Sequence, residues 1–181
     1  MSTEPTASTL TRFLRSLRAV REYTPEPIPD DAVRDILEVG RWSGSASNNQ
    51  PAEVVIVRSE DVKRLITEGG VRAAAGAALA LVIVTPGDPE RKDLEVLDDG
   101  RLVERLLLAA SAHGLGSNIG TLKGDGPGVV KRALGIPDAR RVWTVVTIGQ
   151  IDEAAYQART RNPRAGRKPV SAFAHWDRYT S

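Results

Sequence analysis

The sequence predicts a layered fold of the α/β or α+β class. Three apolar runs rich in β-branched residues, at 54–57, 78–84 and 141–149, have the length and composition of buried strands. Segments with helical periodicity separate these runs, and elements that alternate in this way pack as helices against a sheet. The chain has 181 residues, enough for one core, so we expect a single domain over 1–181.

Two helical patterns occupy the N-terminal part of the chain. Residues 9–20 predict an amphipathic helix, because apolar side chains recur three or four residues apart and arginines cover the other face. Three prolines in the segment 22–29 exclude a helix there. Asp30 is the expected N-cap of a second helix, which should end near Gly44. The apolar positions of the first helix are Leu10, Phe13, Leu14 and Leu17.

The centre of the chain carries further helical signals. Ser59 is placed to cap a short helix that runs through Ile66. The polar segment 85–100 predicts a mobile loop with one helical turn. A strongly apolar pattern over 101–113 then predicts a central helix, with Gly114 at its C-terminal cap.

The C-terminal part begins with a short helix, VVKRALG, which Gly135 closes. Residues 150–181 are polar and irregular. A polar tail of this length is unusual for an isolated compact domain, so we expect this extension to wrap a partner subunit.

Composition excludes several classes of function. The chain has no cysteine, which rules out disulfides, thiolate metal ligands and thiol catalysis. With only His113 and His175, we expect no metal site, and His113 is expected to be structural. No apolar run approaches the ~20 residues of a membrane span, and the N-terminus lacks a signal-peptide pattern, so a cytoplasmic location is expected. The net charge of +2 gives no support for a nucleic-acid partner.

The sequence also lacks the familiar catalytic motifs: phosphate-binding loop, dinucleotide-binding glycine pattern, serine nucleophile elbow and zinc-protease motif. An enzyme with so little side-chain chemistry is expected to use a bound organic cofactor. A flavin suits the residues present, because arginines can bind its phosphate and neutral side chains can meet its ring edge. The neutral groups are concentrated in SGSASNNQP, and glycines that admit close backbone approach lie in HGLGSNIGT. Composition alone does not separate a flavin from another nucleotide.

Four segments in the same order resemble the FMN-dependent nitroreductase family over about 160 residues. They comprise the N-terminal arginine-to-proline segment, the central helix with its glycines, the following helix, turn and strand, and the C-terminal basic segment. In sequence they are RAVREYTPEPIPDDAVRDILEVGRWSGSASNNQP, AASAHGLGSNIG, VVKRALGIPDARRVWTVVTIGQID and GRKPVSAFAHWD.

The resemblance implies an α+β fold with a mixed central sheet flanked by helices. It further implies a homodimer that exchanges its C-terminal tails and holds FMN between its subunits. The implied activity passes hydride from NAD(P)H through flavin N5 to an electron-poor small molecule, such as a nitroaromatic or a quinone, with ping-pong kinetics. No side chain is implied as a catalytic acid or base.

The resemblance assigns cofactor contacts position by position. Two N-terminal arginines would meet the phosphate, the ribityl chain or the pyrimidine edge, and a C-terminal basic pair would help hold the phosphate. Polar residues after the second helix would contact FMN, and backbone N–H groups in the glycine segment would approach N5. The implied set is Arg18, Ala19, Arg21, Ser45, Asn48, Gln50, Gly116, Gly120, Thr121, Arg167 and Lys168.

Three positions depart from the family pattern. Leu17 and Ala19 stand where many relatives carry arginine and serine, and Ala52 stands where tryptophan is usual. These departures motivate one alternative, a flavin-binding or regulatory module without turnover. A second alternative is a relative of the same fold that modifies the flavin itself or works with a deazaflavin.

Overall fold

The computed structural model describes residues 6–159 and 166–179, and its centre is a four-stranded sheet. The strand order is β1-β2-β4-β3, and each neighbouring pair is antiparallel. The α+β class is therefore confirmed, with antiparallel pairing throughout the described part of this chain where a mixed sheet was expected. The strands are β1 Glu53–Val57, β2 Leu79–Thr85, β3 Gly116–Thr121 and β4 Arg141–Gly149.

Helices cover both faces of the sheet. They are α1 Ala7–Ser16, α2 Asp30–Arg41, α3 Glu60–Glu68, α4 Lys92–Ala112, α5 Gly126–Leu134 and α6 Glu153–Ala158. The predicted central helix is the C-terminal half of α4. The predicted helix closed by Gly135 is α5, and Gly135 has the left-handed backbone (φ 65°) that favours glycine at a helix end.

The core has two layers because β2 is buried on both sides. Leu79, Leu81 and Ile83 pack against α2 and α4, whereas the alternate residues of the strand, including Val82, pack against α3 and α5. This two-sided burial explains why the strand is a continuous apolar run in the sequence. Strand β1 lies at the sheet edge, and its Ile56 is exposed. The prediction that this strand is fully buried is therefore wrong.

The predicted mobile loop at 85–100 is wrong from Lys92 onward, where α4 begins. The segment looks like a loop in the sequence because it is polar, but three of its carboxylates, Glu95, Asp98 and Asp99, are buried. Glu95 accepts hydrogen bonds from Thr85 Oγ1 (2.8 Å) and from the backbone N–H groups of Gly87 (3.1 Å) and Asp88 (2.9 Å). The buried side chain therefore fixes the turn that leads into the helix.

Smaller corrections concern helix ends. The first helix stops at Ser16, and Leu17 begins an extended segment. The N-cap of α2 is Pro29, which makes no side-chain capping hydrogen bond, and Asp30 is the first residue of the helix. The helix ends at Arg41. Ser59 does precede α3, but its side chain makes no capping hydrogen bond.

Apolar side chains remain exposed at both ends of the chain. Helix α1 has no buried residue, and its Leu10 and Leu14 are half exposed. In the segment 166–179, the side chains of Phe173 and Trp176 are 80% and 91% exposed. Within residues 6–159 and 166–179, no helix is long and apolar enough to cross a membrane.

Candidate functional site

A groove runs along the open edge of β3, and we call it the Arg18 groove. The extended segment 17–19 forms one wall, and the exposed side of α4 forms the other. The Val20 N–H donates to the Ser117 carbonyl oxygen (2.8 Å), which fixes this segment beside the strand. The groove measures about 120 Å³, and its lining residues are Leu17, Arg18, Ala19, Glu104, Leu107, Ser117, Asn118 and Ile119.

The strand geometry decides which backbone N–H groups face the open edge. The Ser117 carbonyl points away from β4, toward Val20, whereas the Leu122 N–H donates to Trp143 on the β4 side (2.9 Å). Because successive residues of a strand point their backbone groups in opposite directions, Thr121 presents its N–H to the open edge. The resemblance assigned Gly120 and Thr121 together to flavin N5, but the backbone N–H of Gly120 points toward β4.

The two glycines assigned to the cofactor in β3 also have packing roles. A Cβ at Gly116 would lie 2.7 Å from Val20 Cγ1, and a Cβ at Gly120 would lie 2.6 Å from Val71 Cγ1. Both positions therefore require glycine for close packing, whether or not a ligand approaches. Their cofactor contacts stay predictions.

The N-terminal arginines are exposed and differ in their contacts. Arg18 donates from Nη1 to the carbonyl oxygens of Arg15 (2.8 Å) and Leu17 (2.6 Å), at the C-terminal end of α1. Because both contacts use one nitrogen, the remaining N–H groups of the guanidinium are left for an anion. Arg21 lies just beyond buried Val20, with an exposed side chain.

Arg159 contacts this region, although the sequence did not single it out. Its Nη1 lies 3.3 Å from the Ala19 carbonyl oxygen and 3.6 Å from Glu22 Oε2, so it ties the end of α6 to the groove wall. No motif marks this arginine among its basic neighbours, and its role follows from the fold alone.

Tyr23 anchors the same wall to the sheet. Its hydroxyl is bonded to the Val20 carbonyl oxygen (2.7 Å) and to Thr147 Oγ1 (3.0 Å). Burial raises the pKa of Tyr23 to about 12, although the Thr147 hydrogen bond acts in the opposite direction. The phenol therefore stays protonated at neutral pH and holds residues 20–23 against β4.

The polar segment before β1 forms a tight turn. Ser47, Asn48 and Gln50 all have left-handed backbone angles (φ 51°, 55° and 49°), which are unfavourable for residues other than glycine. Ser45 Oγ accepts from the Gln50 N–H (2.8 Å) and closes the turn. The exposed Asn48 side chain lies at its tip.

Asp98 holds this turn against α4, and sequence reasoning missed it. Its buried carboxylate accepts from the Ala46 N–H at 3.2 Å (Oδ1) and 3.1 Å (Oδ2). The residue was assigned to a polar loop, so no sequence signal indicated that it faces inward. Asp98 therefore supports the segment that carries Ser45, Asn48 and Gln50.

Ser45 and Gln50 line a second concave site, which we call the Ala52 cavity. It measures about 290 Å³ and lies between the turn, α2 and α4. The Ala52 cavity and the Arg18 groove share no lining residue. The principal lining residues are Leu37, Gly40, Ser43, Ser45, Gln50, Ala52, Val54, Asp98, Leu102 and Leu106.

The C-terminal basic pair lines neither the Arg18 groove nor the Ala52 cavity. Arg167 and Lys168 are exposed, and Arg167 Nη1 donates only locally, to the Gly166 carbonyl oxygen (2.8 Å), among the contacts of the described residues. One chain thus places the predicted cofactor residues in three regions: strand β3 with the adjoining segment 18–21, the turn before β1, and the tail.

The sheet order, the two helical layers and the groove beside an edge strand define a nitroreductase-like fold. An FMN-dependent nitroreductase from Clostridium difficile superimposes with a TM-score of 0.76 at 21% identity, covering 92% of this chain and 98% of that one. The NADPH:FMN oxidoreductase of Vibrio harveyi, in complex with NAD+, gives a TM-score of 0.75 at 22% identity over 94% and 78% of the chains.

The sequence leads to the same family. The model of the nitroreductase family matches residues 14–92. An NADH dehydrogenase from Thermus thermophilus is 27% identical over 77% of this chain and 85% of its own length. The resemblance to the nitroreductase family inferred from the four segments is therefore confirmed, and the family model itself covers residues 14–92 of the chain.

Proposed function

We propose that this protein is an FMN-dependent NAD(P)H oxidoreductase that reduces electron-poor small molecules such as nitroaromatics or quinones. The names of its relatives, nitroreductases and an NADH dehydrogenase, support an oxidoreductase enzyme. The structural observation that carries the proposal is the open edge of β3, where Arg18 lines the groove and the outward N–H of Thr121 lies further along the same strand.

The hydrogen-bond donors in and near the groove fit FMN. A phosphate favours guanidinium groups, and Arg18 and Arg21 are exposed near the groove. A reduced flavin ring carries negative charge, which a fixed backbone N–H such as that of Thr121 would stabilise. Bound FMN would supply the hydride-transfer chemistry between NAD(P)H and the acceptor. No side chain then needs to act as an acid or base.

The volume of the groove supports assembly as a homodimer. At about 120 Å³ it is smaller than the ~300–1,000 Å³ of usual small-molecule sites, so one chain does not enclose a flavin. A second copy would cover the exposed apolar residues of α1 and the tail, including Leu14 and Phe173. The second copy would also bring its own polar turn (45–50) and its own C-terminal basic pair to the site.

The first experiment is an absorption spectrum of the purified protein with added FMN, followed by NADH or NADPH without oxygen. A bound flavin that bleaches supports the oxidoreductase. Bound flavin that neither nucleotide reduces favours a non-catalytic flavin module, and failure to bind FMN refutes the proposal. Sedimentation of the same sample measures the oligomeric state, and parallel initial-rate lines are expected for ping-pong turnover.

The groove itself is tested with Arg18→Ala and Arg21→Ala, using Arg12→Ala on exposed α1 as the matched control. Loss of one hydrogen bond to a charged group costs about 1.5–3 kcal/mol, so each groove variant should weaken FMN binding roughly ten- to a hundredfold. Fluorescence titration of FMN measures the affinities. Equal affinities for all three variants would contradict the placement of the phosphate.

A further inference from the structure

The Ala52 cavity combines an apolar interior with polar groups whose hydrogen bonding is incomplete. Leu37, Leu102 and Leu106 form much of the apolar wall. Ser43 Oγ is buried and has no hydrogen-bond partner among the described residues. A buried hydroxyl without a partner is unfavourable, and such groups often mark a place where a ligand or water binds.

Asp98 supplies a second polar group on the same wall. Its side chain is only 7% exposed, and both of its oxygens share the single Ala46 N–H. The nearest cation, Arg101, lies 4.0 Å away, beyond a direct hydrogen bond. A carboxylate can accept about four hydrogen bonds, so Asp98 retains capacity for a donor from within the cavity.

The size of the cavity limits what fits. A volume of about 290 Å³ lies at the lower end of small-molecule sites. A cavity of about 150 Å³ with apolar walls takes one benzene ring, so this one has room for one or two fused rings. The polar groups, Ser43 and Asp98, favour a ligand with an N–H or O–H donor at one edge.

We propose that the Ala52 cavity binds a compact aromatic molecule that carries one N–H or O–H donor, such as an indole, a phenol or an arylamine. The rings pack between α2 and α4, and the donor meets the Asp98 carboxylate or the Ser43 hydroxyl. The Ala52 cavity shares no lining residue with the Arg18 groove, although Ser45 and Gln50, which the resemblance assigns to FMN, lie at its wall. Binding of the aromatic molecule requires neither FMN nor turnover.

The test uses indole as the probe and calorimetric titration of the full-length protein, with and without FMN. We expect saturable binding at one site per chain. Because 1-methylindole lacks the N–H donor, it should bind at least fivefold more weakly. Ala52→Trp places an indole in the cavity and should weaken binding at least tenfold, whereas Ala112→Trp, at an exposed position of α4, should leave it unchanged.

Ala52→Leu provides a smaller filling variant if Ala52→Trp does not fold, and circular dichroism checks both. Ser43→Ala should reduce the preference for indole over 1-methylindole. Absence of saturable binding up to millimolar indole would overturn the proposal, as would binding that both Ala52 variants leave unchanged. Indole that perturbs the absorption of bound flavin and ignores the Ala52 variants would assign binding to the flavin site and also refute it.

Discussion

Removal of the Asp98 carboxylate should loosen the turn at 45–50. Asp98→Ala deletes the acceptor of the Ala46 N–H, which lies 3.1–3.2 Å from the two carboxylate oxygens. A hydrogen bond to a charged group contributes about 1.5–3 kcal/mol. Relief of the buried charge acts in the opposite direction, so we expect a loss near the lower value, about 1.5 kcal/mol.

The turn should respond more strongly than the rest of the protein. Three of its residues hold left-handed backbone angles, which cost roughly 1–2 kcal/mol each at Ser47 and Gln50 and less at Asn48, because asparagine tolerates this conformation. Without the Asp98 anchor, local opening becomes easier, and a loss of about 1.4 kcal/mol corresponds to tenfold faster exchange. Hydrogen exchange of the Ala46 amide, followed by NMR, measures this directly, and urea unfolding measures the global change.

Asp93→Ala is the matched control, since Asp93 lies on the same helix with an exposed side chain. It should leave the exchange rate of the Ala46 amide unchanged. If Asp98→Ala also leaves that rate unchanged, then Asp98 does not hold the turn, and the reasoning is wrong.

Three further predictions concern residues that lie in the sheet or contact it. Burial raises the pKa of Asp99 above 3.8, although the hydrogen bond from Thr144 acts in the opposite direction. The folded state therefore binds this proton more tightly than the unfolded state, and the free energy of unfolding falls as the pH rises from about 4 through the raised pKa. Asp99→Asn should therefore gain stability over wild type across that window. Tyr23→Phe should lose about 1–2 kcal/mol at neutral pH and should lack the wild-type loss of stability between pH 10 and about 12. Gly120→Ala should lose about 1–3 kcal/mol, because its Cβ would lie 2.6 Å from Val71, and Val71→Ala should offset part of that loss.

Denaturant unfolding as a function of pH measures the first two, and unfolding at neutral pH measures the third. A constant difference between wild type and Asp99→Asn from pH 4 to 8 would show that Asp99 titrates normally. For Tyr23, phenol ionisation followed by absorbance should show one tyrosine titrating well above pH 10, and its absence would contradict the raised pKa. If the losses of Gly120→Ala and Val71→Ala simply add in the double variant, the two side chains do not collide.

The sequence predicted the elements whose signals are local. Strand β2 was found because burial on both faces makes it a continuous apolar run, and α5 was found because Gly135 marks its end. Strand β3 was missed as a strand, since GSNIGT has glycine at positions where packing against Val20 and Val71 leaves no room for a side chain. That requirement comes from neighbours distant in the chain, which local propensity does not register.

The candidate site divides in the same way. The sequence by itself determined the class of fold, the likeness to the nitroreductase family and the residue types that suit a flavin, because these depend on local order and pattern. Only the tertiary structure decided that Thr121 presents the outward N–H, that Asp98 faces inward to hold the polar turn, and that Ala52 borders a cavity. Strand register, helix orientation and enclosed volume arise from contacts between distant segments, so no stretch of sequence encodes them alone.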